Sequence, residues 1–253
     1  MGRLTPAPPC CTPSAPVTAR APIPQSPAAS LVGAAIGILV ALSATATRAE
    51  VGVTASATTD YQYQGVSLNP GQPTASLGLS LETRGGGYAG VVGIGDLGRG
   101  PRAVGHLEYL GYAWRGPADL SWDVGVSNLH AVRYAAYPYA YDIPQVYAGL
   151  RVKNLSYYIY YSPRYYNSGV KTLYFDVSGS LRPAPRLRLF GHVGALEPLS
   201  GGTTHPAYDL RAGAAIELTG FQVQLAWTLR RSQGAYAQPQ VHNALVLGVA
   251  AYF

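Results

Sequence analysis

Apolar residues recur at every second position through most of the chain. Between Phe221 and Arg230, Phe221, Val223, Leu225, Trp227 and Leu229 are apolar, whereas Gln222, Gln224, Thr228 and Arg230 between them are polar. Successive side chains of a strand point to opposite faces, so this period gives one greasy face and one hydrogen-bonding face. Tyr208, Leu210, Ala212, Ala214, Ile216 and Leu218 oppose Asp209, Arg211 and Glu217 in the same way. Leu173 to Leu181 and Thr74 to Glu82 repeat the pattern.

Laid end to end, about twelve such runs fill the chain, an even number as bacterial barrels favour. They fall near 51 to 63, 74 to 82, 87 to 95, 103 to 114, 119 to 130, 143 to 152, 155 to 162, 171 to 181, 186 to 196, 208 to 218, 221 to 230 and 241 to 253. The fourth is the least regular, because Leu110 falls on the polar side with His106, Glu108 and Tyr112. Connections after even-numbered runs are short and carry turn residues: RGGG at 84 to 87, RGPA at 115 to 118, Lys153-Asn154, RPAP at 182 to 185 and Thr219-Gly220. Those after odd-numbered runs are longer, among them SLNPGQP, DLGRGPR, SPRYYNSG and SQGAYAQPQ. The pattern predicts an all-β fold: a closed antiparallel up-and-down transmembrane β-barrel with short periplasmic turns, longer extracellular loops and both termini periplasmic.

Composition changes the picture by exclusion. The chain has 30 Gly, 20 Tyr and only 12% charged residues, whereas soluble domains average about 25% charged. No run of 18 apolar residues occurs, so a helical span is excluded on length and a closed barrel is the remaining way to satisfy backbone groups in lipid. Residues 1 to 49 read as a cleaved secretory signal: a Pro/Ala-rich lead, the apolar core Leu31 to Leu42 and small residues before Ala49, with 50 to 253 as the barrel. The lead is longer than export requires, which suggests a translation start downstream of Met1. Loss of Arg3, Arg20 and Arg48 with this leader lowers the formal charge from +6 to +3, too little to argue for a nucleic-acid partner. Cys10 and Cys11 both lie in the leader, so the mature chain is expected to hold no disulfide and no cysteine metal site.

The last run, with Val241, Leu245, Leu247, Val249, Ala251 and Phe253 on one face, ends on an aromatic residue. Phe253 is the expected signal to the barrel-assembly machinery.

The segments TTDYQYQGVSLNPGQP, GGYAGVVG, QVYAGLRV and LSYYIYYSPRYY, with the closing amphipathic strand, resemble the TorF family of porins from Val51 to Phe253. The resemblance implies an outer-membrane barrel of porin architecture, and it carries over no catalytic residue and no defined substrate.

Two motif matches fail on context. Gly93, Gly95 and Gly98 satisfy G-x-G-x-x-G, but a Pro-containing loop and a strand follow where a dinucleotide fold needs a helix. His106 and Glu108 form H-x-E without the downstream cysteine pair of a zinc deaminase. A lipid hydrolase is a second class, with His130 near Ser127 and Asn128 as its nearest candidate site.

The expected chemistry is lumenal. By parity, Asp60, Glu82, Glu108 and Asp123 point inward from the first five strands, and Arg151, Arg186, Arg188, Arg211 and Arg230 from the sixth onward, with Asp176, Asp209 and Glu217 interspersed. Opposed charge across a narrow pore gives a transverse field that orients polar solutes. A salt-bridged, sealed interior is the alternative. Outward Tyr157 and Tyr161 suit an interfacial belt, and Tyr139, Tyr141, Tyr158 and Tyr160 are candidate pore-mouth aromatics. The expected function is passive diffusion of small polar solutes or ions through the bacterial outer membrane. Lipid, lipopolysaccharide and the assembly machinery are the expected partners; no cofactor, metal or catalytic residue is expected. A structural or surface-interaction barrel and the hydrolase stand as alternatives.

Overall fold

The computed structural model describes residues 49–100, 102–117, 119–132, 140–166, 169–200, 204–232 and 241–253. Nearly all the leader, residues 1 to 48, lies outside them, as does Tyr139.

Twelve strands close the barrel: β1 (Ala49–Thr58), β4 (Thr74–Thr83), β5 (Gly87–Asp96), β6 (Arg102–Arg115), β7 (Leu120–Ala131), β8 (Tyr141–Val152), β9 (Leu155–Tyr165), β10 (Val170–Ala184), β11 (Leu187–Pro198), β12 (Ala207–Leu218), β13 (Phe221–Ser232) and β14 (Val241–Tyr252). Each pairs antiparallel with its chain neighbours, and β1 closes on β14 from Thr54↔Tyr252 to Thr58↔Gly248. The amide of Phe253 continues the seam to the carbonyl of Val53 at 3.2 Å. Closure pairs every edge, which an exposed sheet cannot do. Tight connections gather at one end of the barrel, here the turn end, and the longer ones at the loop end.

The outward face carries the apolar half of each alternation: Leu77, Val126, Val146, Phe175, Val193, Leu225 and Leu247 are all exposed. Trp114 and Trp122 stack outside near the turn end, ring centres 6.3 Å apart, where amphipathic rings suit a headgroup boundary. Inward tyrosines lie over glycines of the neighbouring strand: Tyr88 over Gly111, Tyr109 over Gly90, Tyr147 over Gly125 and Tyr158 over Gly149. A side chain at any of these glycines would enter the ring, so the large and small positions interlock.

Three sequence expectations are corrected. The first strand stops at Thr58 rather than continuing to residue 63, and the following residues turn into the barrel as a hairpin of β2 (Gln62–Tyr63) and β3 (Val66–Ser67). Gln64 and Gly65 at its tip both have positive φ, 49° and 71°, the combination that a two-residue type I′ turn requires. The alternation of Tyr61 and Tyr63 mimics a barrel strand, which is why the pattern alone overextends β1.

Glu108 points outward, not into the lumen. Ile94 pairs with Gly105 but Gly95 pairs with Ala103, so Val104 is an extra residue in a bulge. Beyond it, Leu107 and Tyr109 face in and His106 and Glu108 face out. The physical reason is the hairpin, which brings Tyr61, Tyr63, Val66 and Leu68 into the lumen. They form one cluster with Ile94, Val104, Leu107, Leu129 and Ile143 of the wall. Burying Leu107 there outweighs keeping the polar residues of β6 inside.

Arg186 lies exposed in the turn between β10 and β11 instead of facing the pore, because β10 runs on through the Arg-Pro-Ala sequence to Ala184.

Candidate functional site: the barrel lumen

The hairpin crosses the lumen from β1 to the opposite wall, and every residue from Asp60 to Leu68 is buried. Asp60 anchors its base. That carboxylate accepts from Ser67 Oγ, from Gln62 Nε2 at 2.7 Å and faces His242 Nε2 at 3.2 Å. Gln62 also donates to Thr228 on β13 at 3.0 Å. At the far side, Tyr63 OH and Gln64 Nε2 both donate to Gln145 Oε1 of β8, at 2.6 and 3.2 Å. Gly65 packs on the side chain of Asp209, and a β-carbon at residue 65 would overlap it.

Beneath the hairpin lies a buried cluster of one histidine and two carboxyl groups. His192 of β11 places Nε2 2.8 Å from Asp209 Oδ1 and Nδ1 3.4 Å from Asp176 Oδ2, with all three side chains at most 7% exposed. Tyr174 OH donates to Asp209 at 3.0 Å, and Ser178 Oγ donates to Asp176 at 2.8 Å. Buried carboxylates persist only when paired and hydrogen-bonded, and one imidazole between two of them meets that need. His192 was missed in the sequence; the signal was its inward parity on β11, between Arg188 and Leu196.

Toward the turn end, Asp123 accepts from Tyr88 OH at 2.5 Å and Tyr158 OH at 2.7 Å, and Tyr88 and Tyr147 hydroxyls meet at 2.7 Å. Glu82, Asp123 and Arg151 line a cavity of about 350 Å³ that opens there. On the far wall, Glu217 accepts from Arg188 at 3.1 Å and from Arg182 at 2.9 Å, and Arg188 also donates to Gln222 at 2.7 Å. Arg188 and Arg211 both lie over the ring of Phe190, 5.5 and 5.4 Å from its centre. Arg230 faces inward in register with Asp209 and His242.

Charge is thus compensated locally rather than set as an acidic wall opposite a basic one. Asp60, expected on the acidic side, sits against His242 and shares a small cavity with Arg211.

The aromatic candidates also move. Tyr141 stands at the loop end against Tyr166, ring centres 4.5 Å apart. Tyr160 is deep, and Tyr158 lines the turn-end cavity beside Asp123; the two stack on each other at 5.9 Å and continue through Tyr147 and Tyr174 as an inner tyrosine ladder. His130, the hydrolase candidate, faces outward beside Asp142, whereas Ser127 is buried on the lumen side. The two do not converge, so that triad is not assembled.

A family model described as a bacterial protein of unknown function, Gcw_chp, matches residues 43–246. The chain belongs to this family. The matching model carries that description, not the TorF name, while the porin-like barrel that the TorF resemblance implied is the observed fold. Among solved structures, the NanC porin matches with a TM-score of 0.55 at 10% identity, over 79% of this chain and 98% of that one. The KdgM porin matches with a TM-score of 0.50 at 10% identity, over 81% of this chain and 99% of that one. At this identity the likeness is one of fold. No curated protein matches the chain in sequence.

Proposed function

We propose that this member of the Gcw_chp family is an outer-membrane porin-like channel for small polar solutes or ions, narrowed by its own inward hairpin. The observation that carries the reading is the mode of attachment: besides its apolar contacts, the hairpin is held by side-chain hydrogen bonds that Gln62, Tyr63 and Gln64 donate and Asp60 accepts. Such bonds exchange with water at a net cost of about 0.5–1.5 kcal/mol each, so a solute or a fluctuation can displace them. The resemblance to TorF-family porins supports the same reading, with the leader exporting the chain, both termini periplasmic and the last strand engaging the assembly machinery.

Complete burial of the hairpin favours one second reading, a structural barrel whose lumen stays sealed. Planar-bilayer recording of the refolded chain and of a variant with residues 61–68 replaced by a Gly-Ser linker separates the two. A gated channel conducts in both, more in the variant. Conductance only in the variant favours the sealed barrel, and silence in both overturns the channel reading.

A further inference from the structure

The outer wall of β6, β7 and β8 breaks the apolar pattern of the exterior. His106, His130 and Asp142 lie in one cross-strand register and all point out, with Glu108 two residues along from His106. They remain 30–41% exposed, within reach of solutes at the loop end. Asn128, the cross-strand partner of Glu108, extends this polar patch, whereas toward the turn end the outward positions of the same strands are apolar: Tyr112, Trp114, Trp122, Val124, Val126 and Val146.

From this arrangement we propose that His106 and His130 form a chelating site for a divalent transition-metal ion such as Zn²⁺ or Ni²⁺ on the outer wall near the loop end. Two imidazoles bound tetrahedrally at about 2.0–2.1 Å hold their ring centres roughly 5 Å apart; those of His106 and His130 are 5.1 Å apart. The strands supply this spacing at no further cost, because the two residues are direct cross-strand partners.

The neighbours fit the same reading. Asp142 Oδ1 lies 2.7 Å from His130 Nδ1, a contact that favours the neutral tautomer with its N–H on Nδ1 and turns Nε2 to the ion. This is how outer carboxylates commonly fix a ligating histidine. Glu108 Oε1 lies 3.5 Å from His106 Nε2, close enough to turn toward an ion that His106 binds. No three such side chains converge as they stand among the described residues, so the site is a two-imidazole chelate whose other positions belong to water or to Glu108. A rim of simple ion pairs would give each histidine its own acid, with no need to bring the two rings within 5.1 Å of each other.

The test is calorimetric titration of the refolded, untagged chain in detergent with Zn²⁺ and with Ni²⁺. The wild type is expected to bind one equivalent. H106A and H130A are each expected to weaken it at least about tenfold, and the double variant no further than the stronger single effect, as a chelate requires. D142N is expected to weaken binding about 10- to 100-fold through the lost orientation of His130, and H205A to leave it unchanged. Circular dichroism and heat-modifiable gel mobility check that each variant is folded. No saturable binding by the wild type, or undiminished binding by a folded double variant, overturns the proposal.

Discussion

The hydroxyl of Tyr63 donates to Gln145 Oε1 at 2.6 Å and ties the tip of the inward hairpin to β8 across the lumen. Gln64 shares the same acceptor at 3.2 Å. Gln145→Leu removes both bonds while keeping the bulk, and leaves two buried donors without that acceptor, at about 1–3 kcal/mol each. Amide hydrogen exchange across residues 61–68 is expected to accelerate about tenfold or more, with the barrel strands unaffected. Unchanged protection would place the hold on the hairpin elsewhere.

The base of the hairpin predicts a response to acid. Burial raises the pKa of Asp60, but hydrogen bonds from His242, Ser67 and Gln62, with the charge of His242, outweigh this and hold it below the ordinary 3.8. A carboxyl depressed in the folded state contributes stability that is present above its unfolded pKa, about 3.9, and is lost as pH falls through the lower folded value. Exchange protection of the hairpin is therefore expected to be insensitive to Asp60 from neutrality to about pH 4 and to fall below it. In Asp60→Asn this acid limb should vanish. If the variant keeps it, another group governs the hairpin.

Most of the barrel was legible because a wall between lipid and lumen forces a strict period of two. Where that contrast holds, as from Tyr208 to Leu218, the observed strand Ala207–Leu218 falls within one residue of the expected one. The contrast fails where the lumen is filled by protein. Once Tyr61, Tyr63, Val66 and Leu68 enter the barrel, they pack on Ile94, Val104, Leu107, Leu129 and Ile143 of the inner face of β5 to β8, and the polarity of Leu107 and Glu108 no longer tells inside from outside. Local pattern carries no record of what will be packed against it. The partners of Asp176 and Asp209 were illegible for a related reason: parity sets the direction of each side chain, but not the register that brings both beside His192.

The His192 cluster is expected to be a large source of stability. His192→Leu leaves the carboxylates of Asp176 and Asp209 buried without the imidazole that both contact, and removing one partner of such a buried pair costs about 3–5 kcal/mol. Urea unfolding in lipid vesicles should show this loss. Adding Asp176→Asn and Asp209→Asn to the same chain should recover most of it, because the buried charge is then gone. A triple variant as unstable as His192→Leu alone would mean that packing, not charge, sets the cost.

The reversed facing of β6 gives the sharpest contrast between two adjacent residues. Leu107 is fully buried in the cluster beneath the hairpin, whereas the Glu108 side chain is 38% exposed on the outer wall. Leu107→Glu puts an unpaired carboxylate among Ile94, Leu129 and Ile143 and is expected to cost at least about 3 kcal/mol or to abolish folding. Glu108→Leu extends the apolar exterior and is expected to change stability by no more than about 1 kcal/mol, because an outward acidic residue away from the midplane is itself tolerated at small cost. Parallel urea titrations of the two variants decide the matter. Had Glu108 faced the lumen as its position in the alternation suggests, the order of the two effects would be inverted.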